Sequence, residues 1–210
     1  MTPEQRKALF KILAEARPDP KSELEYSTPF ELLVAVMLSA QATDKSVNLA
    51  TRKLFARAAT PEAVAALKPE GLEPYIRTIG LFRAKAKNLC AACELLIARH
   101  GGEVPGDFDA LVALPGVGAK TADVVLNVAF GRPTIAVDTH IFRVANRTGL
   151  APAATPEAVS AALLRVTPPE YLRNAHHWLL LHGRYCCKAR KPDCPACPVR
   201  HLCEFEGKAA

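Results

Sequence analysis

The stretch Leu114-Pro115-Gly116-Val117-Gly118-Ala119-Lys120, running on through Thr121-Ala122-Asp123-Val124-Val125-Leu126-Asn127-Val128-Ala129-Phe130 to Gly131, decides the fold. Two glycines flanking one apolar residue make a sharp turn, because glycine has no Cβ and accepts positive φ. The apolar run behind Lys120 reads as a buried helix stopped by Gly131. A shorter helix started by Asp107 or Asp109 precedes it, giving a helix-hairpin-helix over about residues 107–130. The first N–H groups of the second helix have no partner within it and carry partial positive charge. A glycine turn at that end lets backbone donors approach an anion. Lys120 therefore sits where an anion docks and where an amine loses its proton more readily. Asp138, in Val137-Asp138-Thr139-His140, brings a carboxylate after the next connection. Taken singly, each piece has a plainer meaning: a turn, a solvated lysine, an N-cap for the helix that starts at Thr139.

The rest of the chain agrees with a helical reading. Half of its 210 residues are apolar but only 6% are aromatic, so the core is expected to be aliphatic and alanine-rich. Alanine abundance with few β-branched runs favours helix over sheet. Thr28-Pro29-Phe30-Glu31 reads as a capping box with proline at the first helical position, and Leu32 to Leu38 is apolar all round, which predicts a helix at a domain centre. Thr60-Pro61-Glu62 and Thr155-Pro156-Glu157 cap two more helices, Glu70 to Ile79 is a short one, and a long one runs from Leu81 to His100 before Gly101-Gly102. The fold class is all α, and Thr134-Ile135-Ala136-Val137 is too short to count as a strand.

A net charge of +6 favours an anionic partner without naming it. No apolar run is long enough to cross a bilayer, and the N-terminus is too charged for a secretory signal, so a cytoplasmic protein is expected. Seven cysteines, an odd number, then point to ligands and buried thiols rather than disulfides. Cys90 and Cys93 lie among alanines inside a helix and read as small core residues. Cys187, Cys194, Cys197 and Cys203 follow a C-x6-C-x2-C-x5-C spacing in a loop whose prolines exclude a continuous helix. So short a loop has little core of its own, and a bound metal is its natural organiser. The spacing lacks the paired knuckles usual for zinc, and four thiolates also suit a cubane iron–sulfur cluster; the cluster is preferred and zinc stays open. Cys186, beside Cys187, leaves the first ligand ambiguous. Lys188, Arg190 and Lys191 on the same loop are candidates for phosphate contacts.

Together, Leu38-Ser39-Ala40-Gln41-Ala42-Thr43-Asp44, Thr78-Ile79-Gly80-Leu81, the glycine turn with Lys120, Val137-Asp138-Thr139-His140 and the cysteine tail resemble the endonuclease III family of DNA glycosylases and abasic-site lyases. The resemblance covers nearly the whole chain. It implies a domain over 22–133 shaped as a six-helix barrel and a second, iron–sulfur domain built from 1–21 and 134–210. It also implies a 4Fe-4S cluster on Cys187, Cys194, Cys197 and Cys203, with Lys120 as nucleophile and Asp138 as the essential carboxylate. Gln41, Leu81 and Ile79 resemble the residues that fill the gap left by an everted base, and Gly116, Gly118 and His140 would join the DNA contacts. The implied substrate is duplex DNA with damaged pyrimidines or abasic sites, handled by a monomer. Ala119 and Asp123 stand where many relatives carry Arg and Asn, which softens the positive field beside the hairpin. Two rival readings stand beside it: a sister enzyme, the monofunctional mismatch adenine glycosylase, which would lack a lysine at position 120, and a non-enzymatic DNA-binding module with a zinc knuckle.

Overall fold

The computed structural model describes residues 1–208; the last two residues of the C-terminal span expected to reach 210 lie outside them. Among the described residues there are helices and no strands. They group into two compact units, one of Ser22–Gly131 and one of Met1–Lys21 with the described residues from Arg132 on.

The first of these contains α2 (Pro29–Ser39), α3 (Asp44–Phe55), α4 (Pro61–Ile76), α5 (Phe82–His100), α6 (Phe108–Val112) and α7 (Ala119–Phe130). Every residue of α2 from Phe30 to Leu38 is buried, which is why its sequence shows no polar face. Thr28 Oγ1 accepts from the Glu31 amide at 3.1 Å, but the Glu31 carboxylate accepts from the Ser27 amide at 2.5 Å instead of closing the expected reciprocal box on Thr28. The two helices expected to either side of Lys68-Pro69 are both present within α4, separated where Lys68 leaves helical geometry at φ 57° ahead of Pro69, and the second ends at Ile76. Cys90 and Cys93 lie in this unit's core beside Leu89 and Leu96.

The other unit is assembled from both chain ends. It holds α1 (Pro3–Ala16), α8 (Thr139–Thr148), α9 (Pro156–Val166) and α10 (Leu172–Tyr185), followed by the cysteine loop. Leu9, Phe10 and Leu13 of α1 pack in one core with Ile141, Val144, Leu163 and Trp178. Trp178 Nε1 donates to the Arg17 carbonyl at 2.8 Å, so the indole N–H is satisfied as it is buried. The buried segment Ile135-Ala136-Val137 is not a strand; Ser160 Oγ donates to the Ile135 carbonyl at 2.8 Å. No described helix is long and apolar enough to cross a membrane.

Helices α8 and α10 cross at Gly183. A Cβ placed there would lie 2.9 Å from both the Cβ and the carbonyl oxygen of His140. Gly183→Ala is therefore expected to destabilise the protein by about 1–3 kcal/mol through overpacking. Urea unfolding would measure it; an unchanged midpoint would mean that the crossing opens without cost.

Candidate functional site

Each unit contributes its own set of candidate residues. In the hairpin, Asp107 caps α6 by accepting from the Ala110 amide at 2.9 Å. Leu114 and Val117 point into the core and anchor the turn between α6 and α7. Gly116 has φ 79°, and a Cβ there would lie 2.8 Å from Asn88 Cβ on α5, so both conformation and space require glycine. Gly118 differs from expectation: it is the extended N-cap of α7, with φ −94°, and nothing lies within 4 Å of where its Cβ would stand. Its lack of a side chain leaves the approach to the helix end open. No side chain caps α7, and the first backbone bond of the helix is Ala122 N–H to the Gly118 carbonyl at 3.0 Å. Lys120, exposed, is the second residue of that helix. Ala119 is exposed as well, while burial raises the pKa of the half-buried Asp123.

Besides Lys68, two exposed side chains of the same unit stand on strained backbone. Ser39 to Ala42 is a turn closed by Ala42 N–H to the Ser39 carbonyl at 3.0 Å. Ala40 has φ −57° and ψ 117°, and Gln41 has φ 57°, a type II arrangement whose third position ordinarily takes glycine. Leu81 has φ 58° and ψ 29° at the N-cap of α5, where Ser, Thr, Asp or Asn is normal, and it is 65% exposed. A branched apolar residue that is left-handed, exposed and unable to cap is costly twice over, and such outliers concentrate at ligand clamps. Ile79 departs from expectation. It is 2% exposed and belongs to the core, so its side chain supports the Gly80-Leu81 turn from beneath instead of standing beside Leu81.

In the second unit, Asp138 is the N-cap of α8. One oxygen, Oδ1, accepts from the amides of His140 at 2.9 Å and Ile141 at 2.8 Å. The plainer reading of Asp138 is thus realised, with the carboxylate half-buried and fixed in direction. His140 is held by its neighbour on the next turn, Arg143 Nη2 lying 3.1 Å from His140 Nδ1.

The cysteine loop shows what the sequence did not. Arg143 donates from Nε to the Cys187 carbonyl at 2.8 Å and from Nη2 to the Gly183 carbonyl at 2.7 Å. Arg147 donates to the carbonyls of Lys188 at 2.7 Å and Ala189 at 3.0 Å. Two arginines one turn apart on α8 therefore brace the loop that carries Lys188, Arg190 and Lys191, whose side chains stay exposed. Nothing local in sequence marks these bonds, which join positions some forty residues apart.

All five tail thiols, those of Cys186, Cys187, Cys194, Cys197 and Cys203, line a single cavity with His182. His182, Cys186 and Cys197 place one donor atom each within 4.8 Å of one another. Burial pushes the Cys186 thiol up to about 12, with Cys197 adding to the effect, and it pushes His182 down to about 4, leaving a neutral imidazole. Five thiols and an imidazole gathered around one cavity are soft donors at close quarters, so the donor set suits a metal centre. Arg147→Met should loosen this loop without unfolding α8. Charged hydrogen bonds contribute about 1.5–3 kcal/mol each, so amide exchange over residues 186–193 should quicken at least about tenfold in a mass-spectrometric measurement. Unchanged exchange would show that the loop holds itself.

Residues 34–169 match the HhH-GPD superfamily of base excision DNA repair proteins. The chain is 56% identical to endonuclease III of Escherichia coli strain K12, over 99% of each chain. It is 58% identical to endonuclease III of Rickettsia conorii, over 94% of each. A solved structure of a trapped endonuclease III–DNA covalent intermediate superposes with a TM-score of 0.90 at 46% identity, covering 97% of this chain and 96% of that one. A thermostable thymine-DNA glycosylase gives 0.85 at 25% identity, over 98% of each chain.

Proposed function

Because this chain belongs to the HhH-GPD superfamily of base excision DNA repair proteins, as a DNA glycosylase and abasic-site lyase of the endonuclease III kind, we propose that Lys120 is its nucleophile and Asp138 its essential carboxylate. The observation that carries the reading is Lys120 itself: an exposed amine one residue inside an uncapped helix N-terminus, behind a turn kept open at Gly118. A phosphate of the DNA backbone is received by the free amides of that turn, which positions the strand without reading its bases.

A damaged pyrimidine inside a duplex is stacked, so it must be turned out before its sugar can be reached, and a damaged base costs less to turn out. Leu81 and Gln41 enter the vacated space, and their strained backbones hold the side chains outward for that purpose. The neutral amine of Lys120 then attacks C1′ of the sugar as the C1′–N bond to the base breaks and the electron pair leaves with the base. Asp138 faces the positive charge that develops on the sugar and takes up the proton lost by the amine. Its N-capping bonds use one oxygen and leave the other for this work. The sugar ring then opens as the C1′–O4′ bond breaks, giving a Schiff base that acidifies the C2′ hydrogen, and removal of that hydrogen expels the 3′ phosphate by β-elimination.

Cys187, Cys194, Cys197 and Cys203 would hold a 4Fe-4S cluster. When bound, it supplies iron–thiolate bonds that fix the fold of the basic loop. Lys188, Arg190 and Lys191 on that loop, together with His140, contact phosphates. The protein acts as a monomer on DNA in the cytoplasm.

Lys120→Ala should abolish borohydride-trapped cross-linking to abasic DNA while leaving the fold intact; a variant that still cross-links removes Lys120 from the reaction. Asn caps a helix as well as Asp does, so Asp138→Asn should melt within a few degrees of the parent yet turn over at least about a hundredfold more slowly. A variant that unfolds instead would reduce Asp138 to its capping role. Iron analysis should give about four irons per chain, against one zinc and no strand scission for the non-enzymatic rival.

A further inference from the structure

Lys85 lies on α5 one turn beyond Leu81, and its amide donates to the Leu81 carbonyl at 3.0 Å. Its ammonium reaches back to the end of α2, donating from Nζ to the Leu38 carbonyl at 2.9 Å and to the Ala40 carbonyl at 2.6 Å. The second of these decides the shape of the Gln41 turn. Type I and type II turns differ chiefly by rotation of the central peptide, here the one between Ala40 and Gln41, whose oxygen Lys85 holds. Freed, that peptide would rotate toward the type I form, which relieves the positive φ of a non-glycine residue. Held, it keeps Gln41 left-handed. The same lysine thus fixes the Gln41 backbone and belongs to the helical turn that begins at Leu81.

We propose that Lys85 is the positioning residue of the base-displacing wedge, its ammonium locking the Ala40–Gln41 peptide so that Gln41 and Leu81 are presented together. The inference rests on the reading of Gln41 and Leu81 as the residues that enter the duplex. Lys85 is partly buried, and burial lowers its pKa, as expected for an ammonium committed to protein carbonyls. Its positive charge also completes the C-terminus of α2, where partial negative charge collects.

The test uses the full-length protein with its cofactor loaded, and duplexes carrying a tetrahydrofuran abasic analogue opposite 2-aminopurine. Lys85→Met removes the donors at similar length; Lys85→Arg keeps donors that reach the same carbonyls. Lys85→Met should bind the analogue duplex about tenfold more weakly and lose most of the 2-aminopurine fluorescence rise, and Lys85→Arg should recover much of both. Affinity for undamaged duplex and its salt dependence should not change in Lys85→Met. A salt slope reduced by about one would instead make Lys85 a phosphate contact and overturn the proposal. Leu81→Ala separates the two layers. If it leaves the fluorescence rise intact, the wedge reading itself fails; if it abolishes the rise while Lys85→Met does not, only the role of Lys85 fails. Should Lys85→Met unfold, Lys85→Gln is measured in its place against the same outcomes.

Discussion

One face of α5 sets the working surface of the Ser22–Gly131 unit. Leu81, Lys85 and Asn88 recur at the i, i+4, i+7 spacing that aligns side chains along a helix. Leu81 stands at its start, Lys85 grips the carbonyls before Gln41, and Asn88 presses on Gly116 so closely that only a glycine fits. The adjoining face of α5, through Ala86, Leu89, Cys93 and Leu96, is sunk in the core. Three loops distant in sequence are thereby referred to one rigid rod. A close-packed interior transmits displacement instead of absorbing it, so a shift of α5 would move all three together.

The Met1–Lys21 and 132–208 unit solves a related problem with different chemistry. Its C-terminal loop is rich in proline and poor in apolar residues, and cannot fold by burying surface. Arg143 and Arg147 supply direction through guanidinium donors on backbone carbonyls. The converging thiols supply a place for a metal. Since the same helix begins at Asp138, the carboxylate and the loop share one support.

Much of this was legible in the chain. Thr28, Thr60 and Thr155 each precede a proline and cap a helix as their sequence predicts, and Gly101 and Gly131 end helices in the left-handed conformation. The hairpin, the buried α2 and the core placement of Cys90 and Cys93 followed from periodicity and turn chemistry. What escaped is long-range. Lys85 on the Leu38 and Ala40 carbonyls, and the two arginines on the cysteine loop, join residues with no local pattern between them. The resemblance groups Ile79 with Leu81, but the turn at Gly80 sends one inward and the other out. Gly118 looked like a second positive-φ glycine, whereas its value lies in the space it leaves.

The buried thiols of α5 have a consequence of another sort. Burial, with nearby carboxylates, pushes Cys90 up to about 11 and Cys93 to about 12. At neutral pH both are therefore held as thiols, whereas the thiolate is the form that attacks peroxides. Sulfur so placed fills the interior of the rod as an apolar group and is withheld from thiolate chemistry.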